Sequence, residues 1–376
     1  MTMPRVLLDA TCVNDDAPTG ASRYVQALVR GLIETPEVEV HVFTFARRVF
    51  ADLPAHVRVS RLDLPRVLGP VARETARRRF VARASREGFD LIHYTLDPAP
   101  PVRGVRSMLT LFDIARRTPS FRAATGASLR AFMRTHLRYG LAKRMNLLLA
   151  TTFHAAREIS RDLPYPAERI RVSPIATDAQ FVPGAPDTAV LGRYDLAAGD
   201  YILFVGQLGR QKNEDGLLSA FTRAKDRNLI PLTTQLVFAG DVSQAGERMR
   251  DASCNRADVR LTGVVNDAEL VHLYRGAACL ALPSFAEGYG LPVQEAMACG
   301  TPAVVSRETC LAEIAGDAGI AVDPHDIDEM SASLARLVND AELRDRLSRR
   351  GVALAAERAD KDMVRAHLEA YRDALG

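Results

Sequence analysis

Twice along this chain, short apolar runs alternate with amphipathic stretches, and that alternation constrains the fold more than any other feature. In the first half, Arg5-Val-Leu-Leu-Asp9, Val38-Glu-Val-His-Val-Phe43, Leu91-Ile-His-Tyr94, Met108-Leu-Thr-Leu-Phe112 and Leu147-Leu-Leu-Ala150 read as strands. Helical patterns such as Ala21–Ile33 and Leu129–Met145 lie among them. In the second half the strands are Tyr201–Val205, Gln235–Ala239, Val259–Thr262, Cys279–Leu282 and Ala303–Val305. Strands this apolar need cover on both faces, which parallel sheets flanked by helices provide. Two such series predict an α/β protein of two doubly wound, Rossmann-like domains. The breaker-rich segment Phe181-Val-Pro-Gly-Ala-Pro-Asp187 puts the boundary near residues 180–195. The expected units are 1–182, 190–360 and a last helix, 361–376, packing back on the first domain. Ligands of such sheets bind beyond the carboxyl ends of the strands, so the site is expected where the two domains face each other across a cleft.

Composition excludes several classes. The 376 residues are 47% hydrophobic and 25% charged, which is neither disordered nor fibrous. Cys12, Cys254, Cys279, Cys299 and Cys310 are scattered, with no metal-like spacing, and read as reduced thiols of a cytoplasmic protein. The apolar stretch in the opening MTMPRVLLDA is too short for a signal peptide, and no run of about 18 apolar residues follows. Residues 1–180 carry 28 Lys and Arg against 17 Asp and Glu, and the remainder 21 against 29. A basic and an acidic half suggest modules with different surroundings, although a solvated arginine-rich surface reads equally well.

Ser284-Phe-Ala-Glu-Gly-Tyr-Gly-Leu-Pro-Val-Gln-Glu-Ala-Met-Ala-Cys-Gly-Thr-Pro302 carries the most information. A strand ends at Leu282, and a glycine-flanked loop, Glu287-Gly288-Tyr289-Gly290, follows it. Pro292 suits the first turn of a helix, and Gly300 with Pro302 suits its end. The glycines let backbone approach a ligand, and the helix start offers N–H groups and a positive dipole end. That is a site for phosphate or sugar hydroxyls. Glu287 and Glu295, eight residues apart, supply acceptors for vicinal hydroxyls. A second loop, Gly206-Gln-Leu-Gly-Arg-Gln-Lys-Asn213, places Arg210 and Lys212 just before the helix Glu214–Lys225. Cations there suit a docked diphosphate; exposed basic loop residues are the plainer reading.

Glu287-Gly-Tyr-Gly-Leu-Pro-Val-Gln-Glu295 resembles the E-x7-E signature of retaining GT-B glycosyltransferases of family 4 (glycosyl transferases group 1). The Val205–Asn213 loop, Leu236–Gly240, Val259–Asn266 and Pro283-Ser284 match the same family's usual run. Pro18-Thr-Gly-Ala-Ser-Arg-Tyr24 more loosely resembles the glycine loop of bacterial mannosyl- and rhamnosyltransferase-like members, and Ala150–His154 another of their stretches. The resemblance implies a second domain holding a nucleotide diphosphate sugar and a first domain holding the acceptor. Glu295 would then hold the ribose. Glu287 and the backbone of Gly288, Tyr289, Gly290 and Leu291 would hold the sugar and phosphate. Arg210 and Lys212 would meet the departing diphosphate beside Gly206, and Val265 would meet the base. Gly20, Arg23, Tyr24, Phe112, Asp113 and His154 would line the acceptor side. No cofactor and no metal are implied. The donor is expected to be GDP-mannose or a dTDP- or UDP-sugar. The acceptor is expected to be a glycan, a lipid-linked sugar or a natural product, reached at the inner membrane face in a polysaccharide pathway.

Three positions depart from the family pattern. Phe112 stands where histidine is usual, Gln211 where arginine often precedes the lysine, and Pro174-Ile-Ala-Thr177 where "PNGV" is usual. Two alternatives stay open: a nucleotide-sugar epimerase, and a catalytically silent binding or scaffold protein, for which Phe112 is the only support. Arg130, Arg134 and Arg138 form a row beside the apolar stripe Leu129, Met133, Leu137 and Leu141. An ordinary surface helix is the simpler reading, and peripheral contact with anionic lipid the sharper one. The arginine run 73–86 reads the same way. Nucleic-acid binding is not expected, because no aromatic platform accompanies these arginines. His93, His136 and His154 read as isolated, with His154 best placed as a catalytic base.

Overall fold

The computed structural model describes residues 3–13, 19–62, 70–84, 86–112, 139–243, 247–358 and 360–376. Asp113, Arg130, Arg134, Arg138 and His136 lie outside them. The chain divides into two compact units. One holds the described residues up to Ala176 together with the C-terminal helix, and the other holds Thr177–Arg358.

In the first unit a parallel sheet runs β3-β2-β1-β4-β5-β6-β7. Its strands are β1 (Arg5–Asp9), β2 (Glu39–Thr44), β3 (Arg58–Arg61), β4 (Leu91–Tyr94), β5 (Arg106–Leu111), β6 (Leu147–Ala150) and β7 (Ile170–Val172). The central strands are buried along almost their whole length, so their register is fixed by apolar side chains on both faces. Helix α1 (Gly20–Ile33) starts where the Thr19 hydroxyl accepts the Ser22 N–H, and it buries Tyr24, Val25, Leu28, Val29 and Leu32. The C-terminal helix, Asp360–Leu375, packs beside it: a Cβ on Gly31 would fall 2.3 Å from Val364.

The second unit repeats the plan in the order β10-β9-β8-β11-β12-β13. Here β8 is Tyr201–Val205, β9 Gln235–Ala239, β10 Val259–Gly263, β11 Cys279–Leu282, β12 Ala303–Ser306 and β13 Gly319–Val322. In both sheets the chain runs outward to one side, then returns to start the other side. The strand order therefore reverses between β1 and β4 and between β8 and β11. A crevice opens at such a reversal, beyond the strand ends.

Three strands, β3, β7 and β13, are absent from the sequence reading. Each is a short, half-exposed sheet edge, and Arg58–Arg61 and Ile170–Val172 also carry arginines that break the apolar run marking an interior strand. The arginine run 73–86 also needs correction. Arg77 is buried on the helix Pro70–Val81, and its guanidinium meets Asp9 Oδ2 at 2.6 Å. Among the described residues no helix is long and apolar enough to cross a membrane.

Candidate functional site in the second unit and a polar knot in the first

The loops after β8 and β11 flank the reversal point of the second sheet. They are the two glycine loops singled out by sequence. After β8, residues Arg210–Lys212 form a single 3-10 turn. Asn213 then takes a left-handed conformation (φ 57°), which asparagine tolerates. Its side-chain amide donates to Pro283 O at 3.1 Å and Pro324 O at 2.7 Å, tying the two loops together. Gln211 adds two further ties: its Nε2 donates to Ala286 O at 2.9 Å, and its carbonyl accepts the Phe285 N–H. The departure at Gln211 therefore supplies loop-to-loop bonds. Arg210 itself is exposed.

These ties set Lys212 against Glu287. The ammonium lies 2.6 Å from both carboxylate oxygens, although 75 residues separate the two in sequence. The Glu287 side chain is 9% exposed and that of Lys212 20%, so the pair is largely withdrawn from water. Gly206 lies under Lys212 at the end of β8.

Helix 291–298 begins at Gly290, whose φ of 104° suits glycine. A Cβ there would also stand 2.2 Å from Leu311 Cδ2, so a larger residue would have to displace that side chain. Pro292 occupies the first turn. Cys310 Sγ lies 3.3 Å from Glu287 O and 3.2 Å from Tyr289 O, so its hydrogen is shared between two loop carbonyls. Tyr289 is buried and its hydroxyl donates to Gln294 Oε1 at 2.5 Å. The Gln294 amide donates onward to Thr177 Oγ1 at 2.6 Å, at the residue where the chain enters this unit. Glu295 is buried and Oε2 accepts the Tyr274 hydroxyl at 2.9 Å. Leu291 is buried, Gly288 half-buried, and Val265 lies half-buried beside the exposed Val264 after β10. The second unit thus gathers Gly206, Arg210, Lys212, Glu287, Gly288, Tyr289, Gly290, Leu291 and Glu295 onto the two loops and the helix they lead into. Cys310, Gln294 and Gln211 complete the support, and the sequence reading assigned none of them a part in it.

The first-unit candidates fare differently. Gly20 and Arg23 lie in the first turn of α1. Tyr24 is 1% exposed and cannot touch an acceptor, which corrects its assignment. Its ring packs edge-on against Phe112, 5.4 Å between centroids. Its hydroxyl joins a chain of buried hydrogen bonds whose direction follows from one carbonyl. His367 Nδ1 lies 2.8 Å from Met363 O, which can only accept, so Nδ1 carries the proton and Nε2 accepts from Tyr24 (2.7 Å). Tyr24 then accepts from Thr110 (2.8 Å), and Thr110 accepts from His93 Nε2 (2.8 Å). His93 Nδ1 in turn accepts the Tyr371 hydroxyl at 2.9 Å. Burial lowers both histidines: His367 to about 4, and His93 well below its usual value, with His367 adding to the effect. Both are neutral in this chain. His93, read as isolated, is part of a knot that holds the C-terminal helix to α1, β4 and β5. His154 sits at the start of helix Phe153–Asp162, 3.7 Å from Glu158.

The reversal point of the first sheet holds groups the sequence reading missed. Thr95 donates to Asp9 O at 2.6 Å, and Cys12 lies 3.4 Å from the Thr95 hydroxyl. Burial pushes the Cys12 thiol up to about 11, so it stays protonated at neutral pH. The signal available was the charged Asp9 closing the apolar run Val6-Leu-Leu8.

Residues 197–353 match the family model of glycosyl transferases group 1, and residues 18–181 match that of Glycosyltransferase Family 4. The chain is similar to O-antigen chain mannosyltransferase B of Escherichia coli, with 33% identity over 235 residues, 60% of each protein. It is 36% identical over 185 residues to D-inositol 3-phosphate glycosyltransferase of Thermobifida fusca, covering 46% of this chain and 42% of that one. The chain therefore spans less than two thirds of the length of these curated relatives. Among solved structures, Anabaena HepE in complex with UDP and glucose superposes with a TM-score of 0.75 at 16% identity, covering 98% of this chain and 99% of that one. Sucrose-phosphate synthase of Thermosynechococcus elongatus gives 0.75 at 19%, covering 98% of both. These likenesses show the fold: two parallel-sheet α/β domains of the GT-B glycosyltransferase kind.

Proposed function

We propose that the chain is a retaining glycosyltransferase that moves a hexose or deoxyhexose from a nucleotide diphosphate sugar to a glycan, lipid-linked or natural-product acceptor. The observation that carries this reading is the Lys212–Glu287 pair, held at the reversal point of the second sheet beside the start of helix 291–298. A cation, glycine backbone and a helix N-terminus suit a diphosphate. A carboxylate beside them suits sugar hydroxyls, and Glu295 lies further along the same helix for the ribose. The match of residues 197–353 to the group 1 model and the E-x7-E spacing support the same assignment.

In this reading the bond between the anomeric carbon and the phosphate oxygen breaks as the acceptor oxygen attacks from the same face. The departing phosphate oxygen takes the acceptor's proton. Negative charge builds on the diphosphate, where Lys212, Arg210 and the N–H groups of residues 289–291 oppose it. Stabilising charge where it develops is usually the largest catalytic contribution. GDP-mannose is one donor to try, since the E. coli relative is named a mannosyltransferase, and UDP-sugars are another, since HepE is solved with UDP and glucose. The first unit would hold the acceptor, with Phe112 an apolar surface toward a deoxysugar or a hydrophobic aglycone.

The test is transfer by Glu287→Ala and Lys212→Ala beside the parent protein, with these donors. Losses of about 100-fold or more in kcat are expected from each, with melting temperatures held. Parent-like rates in both variants would remove the site assignment.

A further inference from the structure

We infer that Glu287 is a counter-ion switch, one that makes the site hold an intact sugar nucleotide in preference to the nucleoside diphosphate left after transfer. The inference rests on the donor-site reading above and goes beyond it, from which ligand binds to which is released.

The argument starts from the pair itself. The Lys212 ammonium has three donors, and it lies 2.6 Å from each of the two oxygens of Glu287. That carboxylate is nearly out of water, with 9% of its side chain exposed. A diphosphate that reaches Lys212 takes up the ammonium's third donor and competes with Glu287 for the other two. It also brings two or more negative charges beside a carboxylate. A desolvated carboxylate deprived of its cation, with like charge added, is strongly disfavoured.

Loop movement offers no escape. On one side of Glu287, Ala286 O is held by Gln211 Nε2 at 2.9 Å. On the other, the carbonyls of Glu287 and Tyr289 share the Cys310 thiol, and Tyr289 is tied by its hydroxyl to Gln294. The backbone that carries Glu287 is therefore held beside Lys212, and the sugar of the ligand is the partner best placed to replace the ammonium.

A sugar on the terminal phosphate brings that replacement. Its vicinal hydroxyls are O–H donors, and two of them can meet the two oxygens that Lys212 gives up. The free nucleoside diphosphate has no donor at that end. The intact donor is thus compensated for the cation it takes, whereas the product is not. After transfer the sugar leaves with the acceptor, Glu287 is bare, and return of Lys212 to Glu287 helps expel the diphosphate.

The experiment is calorimetric titration of the full chain and of Glu287→Gln with three pairs: GDP and GDP-mannose, UDP and UDP-glucose, dTDP and dTDP-glucose. For one pair the parent is expected to bind the sugar nucleotide about tenfold or more tightly than its diphosphate, the scale of one or two hydrogen bonds to a charged group. Glu287→Gln keeps the shape and removes the charge. It should bind the diphosphate about threefold or more tightly than the parent does and bring the preference close to one. Glu287→Ala removes the same charge and should move diphosphate affinity in the same direction. Equal affinity of the parent for both members of the pair would overturn the inference. So would diphosphate binding that is unchanged or weaker in Glu287→Gln at a parent-like melting temperature. In either case the donor reading stands, because a sugar nucleotide still binds. Failure of all three sugar nucleotides to bind the parent would sink the donor reading and this inference together.

Discussion

The second unit's two glycine loops and the first unit's polar knot use the same materials for opposite ends. Both are built around a parallel sheet whose strand order reverses at its middle. Both collect charged or polar side chains from segments far apart in the chain: Lys212 meets Glu287 across 75 residues, and Tyr24 meets His367 across 343. In the two glycine loops the Lys212–Glu287 charge pair keeps some contact with water. In the knot every side chain is buried, and each hydrogen bond fixes the direction of the next. An open charge pair can be traded for a ligand. A sealed one-way chain can only be kept or broken, so it serves as an anchor. Changes in the knot should therefore show in stability, and changes in the loops should show in binding.

The sharpest way to break this contrast is pH. His367 is held neutral, with its titration moved from the usual 6.5 to about 4 by burial. A group whose folded titration is lowered leaves stability intact above 6.5 and removes it as pH falls from 6.5 toward 4. The loss from His367 alone is about 3 kcal/mol by pH 4, with His93 adding in the same direction. Urea unfolding followed from pH 7.5 to 4.5 measures it, and His367→Gln should flatten the slope. A variant slope equal to the parent's would show that the knot does not carry the effect.

Next in size is Gly290→Ala. Left-handed backbone and the 2.2 Å approach to Leu311 both oppose the new methyl group. The Glu287–Gly290 loop must shift, and on the proposed function kcat/KM should fall about 100-fold, equivalent to ~2.7 kcal/mol. Smaller is Gln294→Leu, which deprives buried Tyr289 of its acceptor and unties Thr177. Donor KM should rise about fivefold, the scale of ~1 kcal/mol for a neutral hydrogen bond, with kcat little changed. An equal fall in kcat with KM unmoved would mean that Gln294 acts on the reacting atoms instead.

Much of this was legible in the residues, and the rest was hidden for definite reasons. Interior strands such as Tyr201–Val205 declare themselves because both faces are buried; Arg58–Arg61 and Ile170–Val172 do not, because an edge strand is half wet. The loop and helix of residues 284–302 were readable because their glycines, prolines and two glutamates fall within nineteen residues and obey local helix rules. The Lys212–Glu287 contact was not, since sequence order alone leaves open which loops become neighbours. Tyr24 was misassigned because a loose loop resemblance outweighed a stronger local signal. It stands on the same stripe as Leu28 and Leu32, four residues apart on α1, which is the mark of a core position.

The central claim is that the second unit binds a sugar nucleotide through Lys212 and its loop. The most direct measurement is a thermal-shift titration of the parent and of Lys212→Ala with GDP-mannose, UDP-glucose and dTDP-glucose. The account predicts that one of the three raises the parent's melting temperature with concentration, as binding to the native state requires, and that Lys212→Ala loses most of the rise. No shift with any of them, or an equal shift in Lys212→Ala, would contradict it.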